Sequence, residues 1–358
     1  MTAPQPILPV THSILAPTAL MTEFLPAYAI GPPHACRLLH CGLNDSYLVT
    51  TPDARYVLRI YRHHWRTRDD IQYEVALLTH LQHVGVPVSW PMAPRDGQVI
   101  RSLRAPEGER YAVLFTYAPG EPPAWPPPPS YARLYGQTVA AIHAGLDAFA
   151  PAHARFPLDL DYLIERPLQT ILPFLADRPE DAQYLQHLAD RLTARVRALE
   201  GGLEHGACHG DCHGGNCHLA APDQLTFFDF DCCGPGWRVF DLATFRWSIA
   251  LNELDETLWS AFEAGYTSRR QLPELDWAAV PLFVLIRHLW LLGLHTSNGD
   301  DWGYAWLDRH YFDRGLKFLR EWEAAHLAAQ APVHENADGG EPPEHNRQAV
   351  GTAHREQP

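Results

Sequence analysis

Lysine is almost missing from this chain: the only one is Lys317, close to the C-terminus. Basic residues are scarce overall, with 28 Lys plus Arg against 42 Asp plus Glu and a formal net charge of −14. That balance argues against a nucleic-acid partner or an anionic membrane surface. No apolar run is read as long enough to span a bilayer, and Met1 to Met21 lacks a basic start followed by an apolar stretch. A cytoplasmic location without membrane contact is therefore expected. The seven cysteines are an odd number, and most lie between Cys208 and Cys233. A disulfide framework would spread them, so a reducing compartment fits better.

What the chain does have is one informative block, His209-Gly210-Asp211-Cys212-His213-Gly214-Gly215-Asn216, with Phe227-Phe228-Asp229-Phe230-Asp231 shortly after it. Phosphoryl transfer requires one carboxylate beside an acceptor hydroxyl and a set of oxygen ligands that hold magnesium on nucleotide phosphates. Asp211 meets the first need. Asn216 and Asp229 supply an amide carbonyl and a carboxylate, the donors that a hard cation prefers. Between the two motifs, residues 218–226 read as a hairpin around Pro222 and Asp223, which returns Asp229 to the side of Asn216.

On these motifs the chain resembles the aminoglycoside phosphotransferase superfamily, from Ala19 to Ala328. The similarity is nearest to the branch with homoserine kinase type II and a bacterial stress-response Ser/Thr kinase. Trp65 with the helix after it, Asp161-Tyr162-Leu163-Ile164-Glu165, and Gly234-Pro235-Gly236 before Asp241 point to that branch. The resemblance implies an α+β, bilobal protein-kinase-like fold, with a small antiparallel-sheet N-lobe and a larger, mainly helical C-lobe. Residues 1–18 would be an extension, 19–121 the nucleotide-binding lobe and 122–130 a Pro-rich connector. Residues 131–328 would form the catalytic and acceptor-binding lobe and 329–358 a disordered tail. ATP and Mg2+ are the implied cofactors, and the acceptor is a small-molecule hydroxyl or a protein Ser/Thr.

Members of such folds hold the nucleotide phosphates with a strand lysine paired to a helix glutamate. In the strand Arg55 to Arg62 the equivalent position is Arg59, and the helix Arg68 to His83 offers Glu74. Gly42, Asn44 and Ser46 lie where a loop would cover the phosphates, although a plain hairpin turn fits the same residues. The strand ending at Thr116 and Tyr117 matches the hinge that receives adenine. His213 occupies a position where kinases carry a lysine or arginine and would place hydrogen-bonding character near the transferred phosphate. Asp231 would assist a second metal or brace its loop, and Asp241 would cap a helix starting at Trp237 and brace the catalytic loop. Gly234-Pro235-Gly236 reads as a turn. Helical spacing also marks Tyr131 to Leu146, with His143 as a structural histidine, and Glu180 to Leu199.

Two other readings compete. Cys208, His209, Cys212, His213, Cys217 and His218, with Cys232 and Cys233 behind them, have the chemistry of zinc ligands but not the two separated ligand pairs of a structural zinc site. The missing strand lysine suggests an inactive nucleotide-binding protein, against which the intact Asp211, Asn216 and Asp229 argue.

Overall fold

The computed structural model describes residues 8–220 and 223–327. The tail at 329–358 and Pro222 in the hairpin turn lie outside the described residues.

The N-terminal lobe is built on a five-stranded antiparallel sheet of order β1-β2-β3-β5-β4. Its strands are β1 (Ala35–Cys41), β2 (Asn44–Thr50), β3 (Arg55–Tyr61), β4 (Arg101–Ala105) and β5 (Gly108–Thr116). Alternation along β3 sends Leu58 and Ile60 into an outer core with Leu20, Leu25, Tyr28, Tyr47 and Val49. Val57 and Arg59 consequently face the cleft on the other side. The described part of the N-terminal extension is docked on this sheet. Tyr47 donates to the Leu15 carbonyl at 2.9 Å, Ser13 donates to Glu107 at 2.7 Å, and Arg110 donates to the Ser13 carbonyl at 2.9 Å.

Helix α1 (Arg68–His83) follows β3 and crosses the inner face. Its start is fixed by a reciprocal cap: Asp70 N–H donates to Thr67 Oγ1 at 3.2 Å, and Thr67 N–H donates to Asp70 Oδ2 at 2.9 Å. Ile71, Leu77, Leu78 and Leu81 are buried on the face that also carries Glu74.

The connector is pinned at its start. Gly120 adopts φ +86°, and a Cβ there would sit 2.1 Å from the Leu219 carbonyl oxygen. Only glycine permits that approach. Glu121 and Leu219 then exchange backbone hydrogen bonds of 3.2 and 2.9 Å, which dock the connector on the catalytic hairpin.

The second lobe contains α2 (Pro129–Gly145), α3 (Pro179–Leu199), the short strands β6 (His205–Cys208), β7 (Cys217–Ala220), β8 (Gln224–Phe227) and β9 (Gly234–Trp237), then α4 (Val239–Leu251), α5 (Thr257–Thr267), α6 (Glu274–Ser297) and α7 (Arg309–His326). Strands β7 and β8 form the expected hairpin. Gly234-Pro235-Gly236 is not a turn but most of β9, paired with β6. Its glycines are there for close packing: a Cβ at Gly234 would lie 2.7 Å from the Phe156 carbonyl oxygen, and one at Gly236 would lie 2.7 Å from Leu158 Cβ. The helix after it accordingly begins at Val239, not Trp237.

Helix α6 corrects a second expectation. At 24 residues and mean hydropathy 1.7 it is long and apolar enough to cross a membrane, yet 72% of its most apolar window is buried inside the protein. It is the central helix of this lobe, and it brings Arg287 and His288 into the interior.

His288 is buried, and its Nδ1 accepts a hydrogen bond from Trp247 Nε1 at 3.0 Å. Burial pushes its pKa down to about 3, and that of His295 to about 4. A folded pKa below the unfolded value means that the unfolded chain binds protons the native one excludes, so this share of stability is lost as pH falls from about 6.5. Asp276, raised to about 6 by burial, works in the opposite sense. Comparison with His288→Asn, which keeps an acceptor for Trp247, isolates the histidine. Between pH 6.5 and 5 the wild type should lose stability more steeply than the variant, by up to about 1.4 kcal/mol per pH unit. Parallel denaturation midpoints would contradict the assignment.

Candidate active site

The motif residues converge on a cavity of about 550 Å³ between the lobes. It is lined by Ser46, Arg59, Glu74, Thr116 and Tyr117 from the first lobe and Asp211, His213, Asn216 and Asp229 from the second. A larger cavity, about 730 Å³, lies among α4, α6 and α7 and contains none of these residues.

Asp241, in the first turn of α4, fixes the loop that presents Asp211. Its two carboxylate oxygens accept the backbone N–H groups of His209 at 2.8 Å and Gly210 at 2.9 Å. It does not cap its own helix, whose N-cap residue is Arg238. His143 supports it from α2, with Nε2 at 3.1 Å from Asp241 Oδ2 and Nδ1 at 2.9 Å from the Tyr266 hydroxyl. Burial works to raise the pKa of Asp241, but bonds and charge from His143 and His209 hold it below the usual carboxylate range. Gly210 has φ +80°, and a Cβ there would stand 2.1 Å from the Cys232 carbonyl oxygen. His209 Nε2 lies 3.1 Å from the Phe228 carbonyl, tying this loop to the one that carries Asp229.

Asp211 is held from two sides. Arg287 Nη2 donates to Oδ1 at 2.6 Å, and Asn216 Nδ2 donates to the Asp211 backbone carbonyl at 3.0 Å and to Oδ2 at 3.4 Å. Burial favours its neutral form, but Arg287, then His213 and His209, outweigh it and lower the pKa. Asp211 is therefore ionised at neutral pH. His213 accepts the Gly215 N–H on Nδ1 at 3.0 Å, so a neutral ring carries its proton on Nε2, 3.6 Å from Asp211 Oδ2.

Arg59 spans two carboxylates. Nη1 donates to Glu74 Oε1 at 2.7 Å, and Nη2 donates to Asp229 Oδ1 at 2.8 Å. The Tyr61 hydroxyl occupies Glu74 Oε2 at 2.8 Å. Burial raises the pKa of Glu74 against the pull of Arg59. Asp229 adopts a left-handed backbone, φ 63° and ψ 59°, a strained state for a residue other than glycine that turns its side chain to the cleft.

Because the Nδ2 of Asn216 is engaged by Asp211, its carbonyl oxygen is the atom left for a cation. With the carboxylate of Asp229 it forms an oxygen donor pair that fits a hard divalent ion. Asp231 is not part of that pair. Trp65 Nε1 donates to Oδ2 at 2.8 Å, and Arg66 donates to both oxygens at 3.3 and 3.2 Å. Burial would raise its pKa, but Arg66, Arg59 and Arg155 bring it to about 2. It is a brace that fastens the start of α1 to the metal loop.

The loop, the hinge and the Cys/His window take these forms. Gly42 and Asn44 do not line the cavity. They sit beyond its edge because β1 and β2 are joined by a tight turn in which Gly42 N–H donates to the Asn44 carbonyl at 3.1 Å, and Asn44 is paired in the sheet with Tyr61. The backbone N–H groups of Thr116 and Tyr117 are already donated to the carbonyls of Trp90 at 3.0 Å and Arg55 at 3.4 Å. Both residues face the cavity but do not offer adenine those donors. The Cys/His window does not gather into a metal site: Cys208, Cys212, Cys217, Cys232 and Cys233 are buried, and among the described residues no three ligand atoms of this window come together as a group.

Arg287 and His218 had not been assigned to the site. Arg287 lies 76 residues from Asp211 on a helix that reads as core, so no local pattern marks it. Trp247 and Trp290 flank its guanidinium, with centroids at 5.1 and 4.6 Å. His218 lines the cavity with Tyr117 and Phe228 and is oriented by the Ala118 carbonyl at 2.9 Å from Nδ1.

Residues 37–279 match a family model described as phosphotransferase enzyme family. An uncharacterized protein of Deinococcus radiodurans is 42% identical over 324 residues, 89% of this chain and 94% of that protein. A homoserine kinase of Rhodopseudomonas palustris is 28% identical over 73% of this chain and 79% of its own length. Among solved structures, a microcompartment-associated aminopropanol kinase superposes with TM-score 0.70 at 24% identity, covering 86% of this chain and 94% of that one. An amicoumacin kinase in complex with AMP-PNP and Ca2+ superposes with TM-score 0.70 at 20% identity, covering 86% and 92%. The bilobal kinase-like architecture is shared with both.

Arg287→Met would leave an apolar chain between the two tryptophans and remove the charge beside Asp211. The Asp211 pKa should then rise, moving the acid limb of turnover to higher pH while lowering the plateau. A plateau loss with an unmoved acid limb would show that Arg287 does not set the ionisation of Asp211.

Proposed function

Because the chain belongs to the phosphotransferase enzyme family, whose neighbours act on hydroxyl groups, we propose that it transfers the γ-phosphate of ATP, bound with Mg2+, to the hydroxyl of a small amine-bearing acceptor. The observation that carries this reading is the placement of an ionised Asp211 opposite Arg59 and Asp229 in one cavity.

Asp211 would receive the acceptor hydroxyl's hydrogen bond and orient its oxygen for in-line attack. A loose transition state demands little base strength, so a carboxylate of depressed pKa suits this positioning role. The Nε2–H of His213 points to the same side and can donate to a phosphate oxygen. Arg59 neutralises phosphate charge in place of a lysine, its second arm held by Glu74. Asn216 and Asp229 would hold the Mg2+, which supplies neutralisation of the phosphate oxygens when bound.

Homoserine and aminopropanol, named in two of the relatives, share a hydroxyl and an amine on a short carbon chain. That common chemistry supports a small amino alcohol, and no feature of the cavity favours a protein acceptor. ATP as donor also fits a cytoplasmic location.

The test is ADP release with MgATP alone and with homoserine, 1-amino-2-propanol, aminoglycosides or a generic protein. Stimulation by an amino alcohol, lost by a factor of about 100 or more in Asp211→Asn, is expected. Stimulation by the protein alone, or turnover that survives in Asp211→Asn, would overturn the reading.

A further inference from the structure

We propose that His12, Cys41 and Asp45 form a binding site for a thiophilic divalent cation of the zinc class, outside the cleft. They come from three places in the chain: the docked N-terminal segment, the end of β1 and the start of β2. One ligand atom from each lies within 4.8 Å of the other two, the only such group of three among the described residues.

The spacing fits the ion. His12 Nε2 is 3.1 Å from Asp45 Oδ1, and Cys41 Sγ is 3.6 Å from His12 Nε2. Bond lengths of about 2.0–2.1 Å to nitrogen and oxygen and about 2.3 Å to sulfur give tetrahedral edges of about 3.3–3.6 Å. The two edges at His12 are therefore already within a few tenths of an ångström of those lengths, and the third, from Cys41 to Asp45, lies within 4.8 Å and closes by side-chain rotation. Nitrogen, sulfur and a single carboxylate oxygen select zinc-class ions over magnesium or calcium, which demand more oxygen.

The carboxylate is already oriented as a ligand. Arg110 Nη2 holds Asp45 Oδ2 at 2.7 Å, and Arg110 is itself anchored on the carbonyls of Tyr61 at 2.9 Å and Ser13 at 2.9 Å. Such outer support leaves Oδ1 aimed at His12. His12 Nδ1 is buried with no hydrogen-bond partner, so nothing else fixes the ring. Cys41 is exposed, which gives the ion a path in and leaves the fourth position to water. Binding would release the Cys41 thiol proton to solvent.

The ion would cross-link the N-terminal segment to both sides of the β1–β2 turn, with its ligand Asp45 next to the cavity-lining Ser46. The Gly42 carbonyl in that turn also accepts from Arg62, which pairs with Asp301 of the second lobe. The site is thus placed to stiffen the edge of the nucleotide cleft without entering the reaction.

Titration of the full chain with Co2+, in excess Mg2+, tests this. The expected result is a thiolate-to-cobalt charge-transfer band with tetrahedral visible absorption, absent in Cys41→Ser and at least about tenfold weaker in affinity in His12→Ala. Zn2+ should raise the melting temperature of the wild type and leave that of Cys41→Ser unmoved. Cys41 is exposed, so its serine variant keeps the fold, which far-UV circular dichroism checks. No sulfur band in the wild type, or an undiminished band in Cys41→Ser, would overturn the proposal.

Discussion

The Arg59 guanidinium joins three elements at the cleft: β3, α1 and the loop carrying Asp229. One planar fork reaches both Glu74 and Asp229, at 2.7 and 2.8 Å. A lysine, as a single point charge, could not hold two separated carboxylates in this bidentate way. The chain thus places an arginine, paired with both carboxylates, where the resemblance expects a lysine. The arrangement is costly to disturb, since removing one partner of a buried ion pair strands the other and typically destabilises by about 3–5 kcal/mol. Glu74 and Arg59 are both buried, while Asp229 is half exposed, so the Asp229 end of the pair is the one open to exchange partners.

Behind this pair stand carboxylates that never reach the cleft. Asp241 accepts two backbone N–H groups from the catalytic loop, and Asp231 is clasped by Trp65 and Arg66. Arg155 adds a third tie, donating to the carbonyls of Cys233 at 2.6 Å and Asp70 at 3.0 Å and so linking the metal loop to the cap of α1. Positions of the reactive groups are set by buried hydrogen bonds, which hold geometry more tightly than exposed ones. The cost of the left-handed Asp229 backbone is offset within the same network.

Much of this was legible in the sequence, for identifiable reasons. Helix α1 was read as Arg68 to His83 with Glu74 on it, and the structure gives that span, while the Thr67–Asp70 cap that fixes its start came to light only in the structure. Asp211, Asn216 and Asp229 were visible because the chemistry requires them at short range. Arg287 was not, because its partner lies on another element and its helix looks uniformly apolar. Gly234 and Gly236 misled for a related reason: glycine signals either a turn or a close approach, and only the neighbours, Phe156 and Leu158, decide which. Thr116 and Tyr117 line the cavity as read, and only the structure shows that their N–H groups are already taken by residues remote in sequence. Local patterns identified elements and motif chemistry, whereas long-range contacts settled which atoms remained available.

Arg59 is proposed as the phosphate-binding cation, and the most direct measurement of that role is calorimetric titration of MgATP into the wild type, Arg59→Lys and Arg59→Met. Affinity should fall by about tenfold or more in Arg59→Met, with Arg59→Lys between the two because it keeps the charge and loses the second arm. Unchanged affinity in Arg59→Met, in a variant shown to be folded, would contradict the claim that this arginine stands where a lysine is usually found.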